Sequence, residues 1–75
     1  MAMNTILEGL KLSVNGEIRE VAPGTMLAGL IGALGLDTRK VAVERNREIV
    51  PRSTYGAVAL CAGDEIEIVH FIGGG

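Results

Sequence analysis

An α+β fold is predicted: a mixed sheet of about five strands with one main helix packed across it. Three patterns carry that expectation. Leu10, Leu12 and Val14 alternate with Lys11 and Ser13, the period-two mark of a half-buried strand, and run into Asn15-Gly16. Leu27, Leu30, Ile31 and Leu34 stand at i, i+3, i+4 and i+7, which places them on one helical face. Ile66 and Ile68 alternate with Glu67, Val69 and Phe71 in a last strand over 65–71.

Each element has a local reason. Asn15-Gly16 is a strong two-residue hairpin signal, because both central positions of a type I′ turn need positive φ. The return strand reads Glu17-Ile18-Arg19-Glu20-Val21 and stops at Pro23-Gly24. Thr25 is the expected N-cap of the helix, its hydroxyl accepting from a free backbone N–H. Gly29 and Gly32 weaken that helix by roughly 1 kcal/mol each against Ala, and are read as points of close approach to the sheet. Gly35 is the expected C-cap. A third strand spans 40–45, Asn46-Arg47 turns the chain, and Glu48-Ile49-Val50 is a short fourth strand. Pro51 closes it and, lacking a ladder donor, suits a sheet edge. Residues 53–61 read as mostly irregular, with Ala62-Gly63-Asp64 as a turn. A hairpin, a helix, short strands and a final strand pack well when the helix supplies the crossover between parallel first and last strands. That is the β-grasp, or ubiquitin-like, architecture. Residues 1–9 read as a loosely ordered leader, 10–72 as the domain and 73–75 as a flexible glycine tail.

The chain has 75 residues, room for one domain with a thin core. Hydrophobic residues are 48% and charged residues 21%, a balance that argues against disorder. Seven basic against nine acidic residues give a net charge of −2, a poor basis for coating nucleic acid. The single cysteine can close no internal disulfide and cannot ligate an iron–sulfur cluster alone. With no disulfide framework, signal-peptide pattern or apolar run of membrane length, a cytoplasmic location is expected.

Few residues invite catalysis. His70 reads as a residue at the rim of the core, and Cys61, after Val58-Ala59-Leu60, as a small buried hydrophobe. No metal-ligand spacing, phosphate loop or nucleophile–base pair is visible. Arg39, Lys40, Arg45, Arg47 and Arg52 read as solvent-facing. Asp64, Glu65 and Glu67 form an acidic group, either a solvated strand surface or a face for basic partner residues. Val69 and Phe71 point away from the helix-covered side and, with Ile72, form a docking patch. Gly73, Gly74 and Gly75 carry the most information. Glycine backbone can enter a narrow channel, so such a tail can deliver the Gly75 carboxylate into another enzyme's site.

Val14-Asn15-Gly16, Val41-Ala42-Val43-Glu44-Arg45-Asn46, Glu48-Ile49-Val50-Pro51-Arg52, Gly63 to Val69 and Phe71 to Gly75 together resemble the ThiS family of thiamine-biosynthesis sulfur carriers. The stretch from Asn46 to Arg52 points to the thiamine branch, whereas the tail is common to ubiquitin-like carriers. The leader is longer than the family's usual start, and Tyr55 stands where many members have Trp. The resemblance implies that an E1-like adenylyltransferase of the ThiF type, using ATP and Mg²⁺, adenylates the Gly75 carboxylate. Sulfur from a cysteine desulfurase or another persulfide donor then makes a thiocarboxylate, which supplies thiazole synthase of the ThiG type. The chain would be a protein cosubstrate, not an enzyme, with no permanently bound cofactor. Two alternatives stay open: a carrier like the molybdopterin synthase small subunit, and a ubiquitin-like modifier of other proteins.

Overall fold

A computed structural model describes residues 9–71 of the chain. The proposed leader, apart from Gly9, and the tail residues Ile72, Gly73, Gly74 and Gly75 lie outside the described residues. Among the described residues the strands are β1 (Leu10–Val14), β2 (Glu17–Val21), β3 (Val41–Arg45), β4 (Glu48–Val50) and β5 (Glu65–His70), with one α-helix, α1 (Leu27–Ala33). They form one five-stranded sheet in the order β2-β1-β5-β3-β4. Strand β5 is central, parallel to β1 and antiparallel to β3. The expected mixed sheet and β-grasp arrangement are what the chain adopts.

Both hairpins turn on asparagine. Asn15 and Gly16 have φ of 51° and 85°, and Asn46 and Arg47 have 54° and 72°. Positive φ at both central positions gives these turns the right-handed strand twist of a tight hairpin. Arg47 accepts a left-handed conformation that usually goes to Gly or Asn.

One face of the sheet carries the core. Leu12 and Val14 of β1, Val41 and Val43 of β3, and Ile66 and Ile68 of β5 are buried against Leu27, Leu30 and Ile31 of α1, joined by Tyr55 and Leu60. The expected helical stripe is therefore the buried stripe, with Leu34 partly buried at its end. Tyr55 lies inside this core and donates its hydroxyl to the Val41 carbonyl at 3.2 Å, which satisfies the one polar atom a buried tyrosine brings.

Two expectations about the helix are corrected. Thr25 does not cap it: the N-cap is Met26, which makes no side-chain bond, and the Thr25 hydroxyl donates back to the Ala22 carbonyl at 2.6 Å. The open N–H groups of the first turn are satisfied from elsewhere in the chain, Leu27 N–H by the Val58 carbonyl at 2.8 Å and Ala28 N–H by that of Tyr55 at 2.9 Å. Gly29 and Gly32 do not approach the sheet; both are exposed, and a Cβ would meet only Thr25 Cγ2 at 3.7 Å in the first and nothing within 4 Å in the second. At the other end Gly35, with φ +78°, ends the helix as expected. Its N–H reaches the Gly32 carbonyl and that of Leu36 reaches Ile31, the paired bonds of a Schellman termination.

Candidate functional site

Strand β5 leads directly to the glycine tail, so its anchoring is the first element of the site. On one side β3 pairs with it in register from Arg45↔Ile66 to Val41↔His70, and the Phe71 N–H donates to the Lys40 carbonyl at 2.8 Å. On the other side β1 pairs with it only at Ser13↔Glu65 and Val14↔Ile66. Beyond that point an asparagine side chain replaces the strand. Asn15 Oδ1 accepts the Ile68 N–H at 2.7 Å, and Asn15 Nδ2 donates to the Ile68 carbonyl at 3.2 Å. Asn46 grips the beginning of the same strand, its Oδ1 accepting the Glu65 N–H at 2.9 Å. The sequence assigns these two asparagines to turns. Their second role becomes visible only once β5 lies between the two hairpins.

Among the described residues, the other face of the sheet carries no helix. Alternation puts Glu65, Glu67, Val69 and Phe71 on it, as expected, and all four are exposed. The register sets Ala42 beside Val69, and Glu44 between Glu67 and Ile49. Val69 is 62% exposed and Ile49 80%, a combination that marks an uncovered apolar patch rather than one stray side chain. Ala42, Glu44, Ile49, Glu67 and Val69 line a shallow groove of about 420 Å³ there. The Arg52 guanidinium lies 5.7 Å from the centre of the Phe71 ring, within cation–π range. Ile49 and Glu44 belong to this face and were not picked out from the sequence; β3–β4 register is the signal that places them.

Asp64 does not belong to the acidic face. It is 5% exposed, so it cannot meet a partner, and the expectation that it joins Glu65 and Glu67 is corrected. Arg45, read as solvent-facing, is its partner: Nε donates to Asp64 Oδ2 at 3.0 Å. Asn46 Nδ2 donates to Asp64 Oδ1 at 3.1 Å and the Cys61 N–H to Oδ2 at 2.8 Å. Burial pushes the carboxyl pKa up, but the Cys61 N–H, the Asn46 amide and the Arg45 guanidinium outweigh it and hold the group below the ordinary value of 3.8. This knot joins the β3–β4 turn to the loop that feeds β5. Cys61 is corrected too: it is exposed, with its Sγ 3.5 Å from Arg45 Nη2, instead of filling the core. His70 is exposed at the end of β5, in keeping with a rim position. Among the described residues there is no group of His, Cys, Asp and Glu that could hold a metal ion, and no helix is long and apolar enough to cross a membrane.

Comparison with known proteins decides the family. The ThiS family profile matches residues 12–75, most of the chain. This chain belongs to the ThiS family. The sulfur carrier protein ThiS of Bacillus subtilis is 50% identical over 46 residues, covering 61% of this chain and 70% of that protein. The crystal structure of thiamine biosynthesis protein ThiS from Geobacter metallireducens has the same fold, with a TM-score of 0.74 at 33% identity over 88% of this chain and 100% of that one. Two proteins named thiazole synthase also match, from Paramagnetospirillum magneticum at 56% and from Magnetococcus marinus at 54% identity, each over 66 residues. Those residues are 88% of this chain and 20% of either relative, so the chain spans about a fifth of their length.

Proposed function

We propose that this ThiS-family chain is a sulfur carrier of thiamine biosynthesis, a cosubstrate that holds sulfur as a thiocarboxylate on Gly75. The observation that carries the reading is the family's fold with its central strand leading straight into Gly73, Gly74 and Gly75. An ionised carboxylate is a poor electrophile. An E1-like, ThiF-type adenylyltransferase would activate it with ATP and Mg²⁺ as the mixed anhydride with AMP, releasing pyrophosphate. Sulfide, or persulfide sulfur followed by reduction with a thiol, then replaces AMP. The resulting C(O)S⁻ group is the better nucleophile and attacks an imine held by thiazole synthase. ATP and Mg²⁺ are substrates of the activating partner in this scheme, and this chain contributes the acyl group and the surface that presents it.

Recognition falls to the uncovered sheet face. Val69, Phe71 and Ile49 supply apolar contact, while Glu44, Glu65 and Glu67 steer a basic partner surface. Glu44 stands directly opposite Glu67, an arrangement that disfavours folding and so supports a role in binding. A 66-residue segment 56% or 54% identical to this chain within two proteins named thiazole synthase supports that enzyme as the acceptor.

The test is intact-mass measurement after incubation with purified ThiF-type enzyme, ATP, Mg²⁺ and sulfide. Exchange of one oxygen for sulfur at Gly75 is expected, followed by loss of that sulfur when thiazole synthase and its carbon substrates are added. Conjugates of higher mass identify a modifier instead, and transfer only to a molybdopterin synthase large subunit identifies the other carrier branch. Phe71→Ala is expected to leave the thermal midpoint nearly unchanged and to weaken binding of the activating enzyme by more than about 1 kcal/mol.

A further inference from the structure

We infer that Asn15 is a positioning residue for the sulfur-bearing tail, acting through its side-chain grip on Ile68. The inference rests on the carrier reading above. Strand β5 outruns β1: their ladder stops at Val14↔Ile66, while β3 keeps pairing with β5 as far as His70. From Glu67 onward the strand's β1 side would therefore be open. Main-chain parity decides which groups suffer. The N–H of Phe71 points to β3, so the N–H and carbonyl of Ile68 and His70 point to the other side. Asn15 meets Ile68 there with one acceptor at 2.7 Å and one donor at 3.2 Å, the pair of bonds a strand residue would make. Asn15 makes these bonds from the left-handed backbone of the hairpin turn, with φ 51°. Asn is one of the few non-glycine residues that adopt that conformation readily and also carry both a donor and an acceptor.

Ile68 lies seven residues before Gly75, a reach of at most about 23–25 Å of extended chain. The last point held from both sides sets where that reach begins and in which direction it leaves the domain. Loss of the grip lets residues 68–71 fray from β3, so an enzyme receiving the tail must order more chain on binding. The cost falls on encounter and seating of the tail, and hence on KM.

The same strand provides an internal control. Asn46 has nearly the same backbone, φ 54°, and grips β5 at Glu65, the end remote from the tail. It also bonds Asp64, so removing it disturbs the fold at least as much. Glycine tolerates both conformations, so Asn15→Gly and Asn46→Gly delete the side chains and preserve the turns. Each variant would be followed by amide exchange and by steady-state sulfur loading with the ThiF-type enzyme, ATP and sulfide, well below its unfolding temperature. Asn15→Gly is expected to speed exchange at Ile68, and at Phe71 whose N–H is held by the Lys40 carbonyl, by about tenfold or more, the scale of one or two net hydrogen bonds, and to raise KM for loading by a similar factor with kcat little changed. Asn46→Gly is expected to lower thermal stability by as much or more while loading with an unaltered KM. Normal loading by Asn15→Gly overturns the inference even if exchange at Ile68 rises. So does an equal loss in both variants, which would indicate stability alone. Failure of the unaltered chain to take up sulfur overturns the carrier reading itself, and is recognised before any variant is compared.

Discussion

Asp64 is one carboxylate that holds three segments together: the β3 end through Arg45, the β3–β4 turn through Asn46 and the loop before β5 through the Cys61 N–H. Hydrogen bonds to a charged group are worth about 1.5–3 kcal/mol each and are not additive, so Asp64→Ala is expected to cost about 3 kcal/mol in denaturant unfolding. The pH dependence has a definite sign. The folded carboxyl titrates below its ordinary value of 3.8, so the charged form stabilises the fold at neutral pH. That contribution is intact above the unfolded value of about 3.9 and is lost as pH falls through the lower folded value. Asp64→Asn should therefore flatten the acid limb of a stability-against-pH curve below about pH 4 and leave the neutral limb flat.

At the scale of elements, the helix and the open sheet face each carry a feature that a stability-optimised design would remove. Gly29 and Gly32 are exposed in the middle of α1 with room for a Cβ. Gly29→Ala and Gly32→Ala should each raise stability by about 0.5–1 kcal/mol, read as a higher thermal midpoint, because alanine loses less backbone freedom in a helix. On the sheet, Glu67→Lys converts the Glu44↔Glu67 pair to opposite charges. A gain of about 0.2–1 kcal/mol is expected at low salt, fading as salt screens the pair. The same substitution should slow association with the ThiF-type enzyme. Gain in stability with loss of binding is the signature of a charge kept for recognition.

Across the whole molecule, the fold and the proposed reaction are separable. The core lies between α1 and one sheet face, and its last residue, Ile68, precedes Gly75 by seven positions, so Gly75 is not part of it. Deleting Gly75 moves the terminal carboxylate by up to about 3.3–3.6 Å along an extended chain, and displacements near 1 Å can cost about 100-fold in a positioned reaction. Sulfur loading by the shortened chain should fall at least that far, with no change in thermal midpoint. Gly74→Val should behave alike, because a branched side chain restricts the backbone that has to enter a narrow channel.

The strands, the helix and the asparagine turns were legible from residue order, because each depends on periodicity or on a backbone conformation that few residues adopt. Leu27, Leu30, Ile31 and Gly35 needed no partner to declare a helix and its end. What the sequence could not decide were the places where one group could bond near or far. Thr25 has the chemistry of a cap, yet the Val58 and Tyr55 carbonyls reach the helix start first. Asp64 sits in a run of acids, and only the return of β5 beside β3 brings Arg45 and Asn46 around it. Cys61 follows apolar neighbours but its position in the turn leaves it exposed. Asn15 announces a hairpin by itself, but its grip on Ile68 joins residues 53 positions apart. Local conformational preference acts through neighbours in the chain and survives in a single sequence. The satisfaction of a buried polar group depends on which distant atoms arrive beside it, and that is settled by the tertiary structure alone.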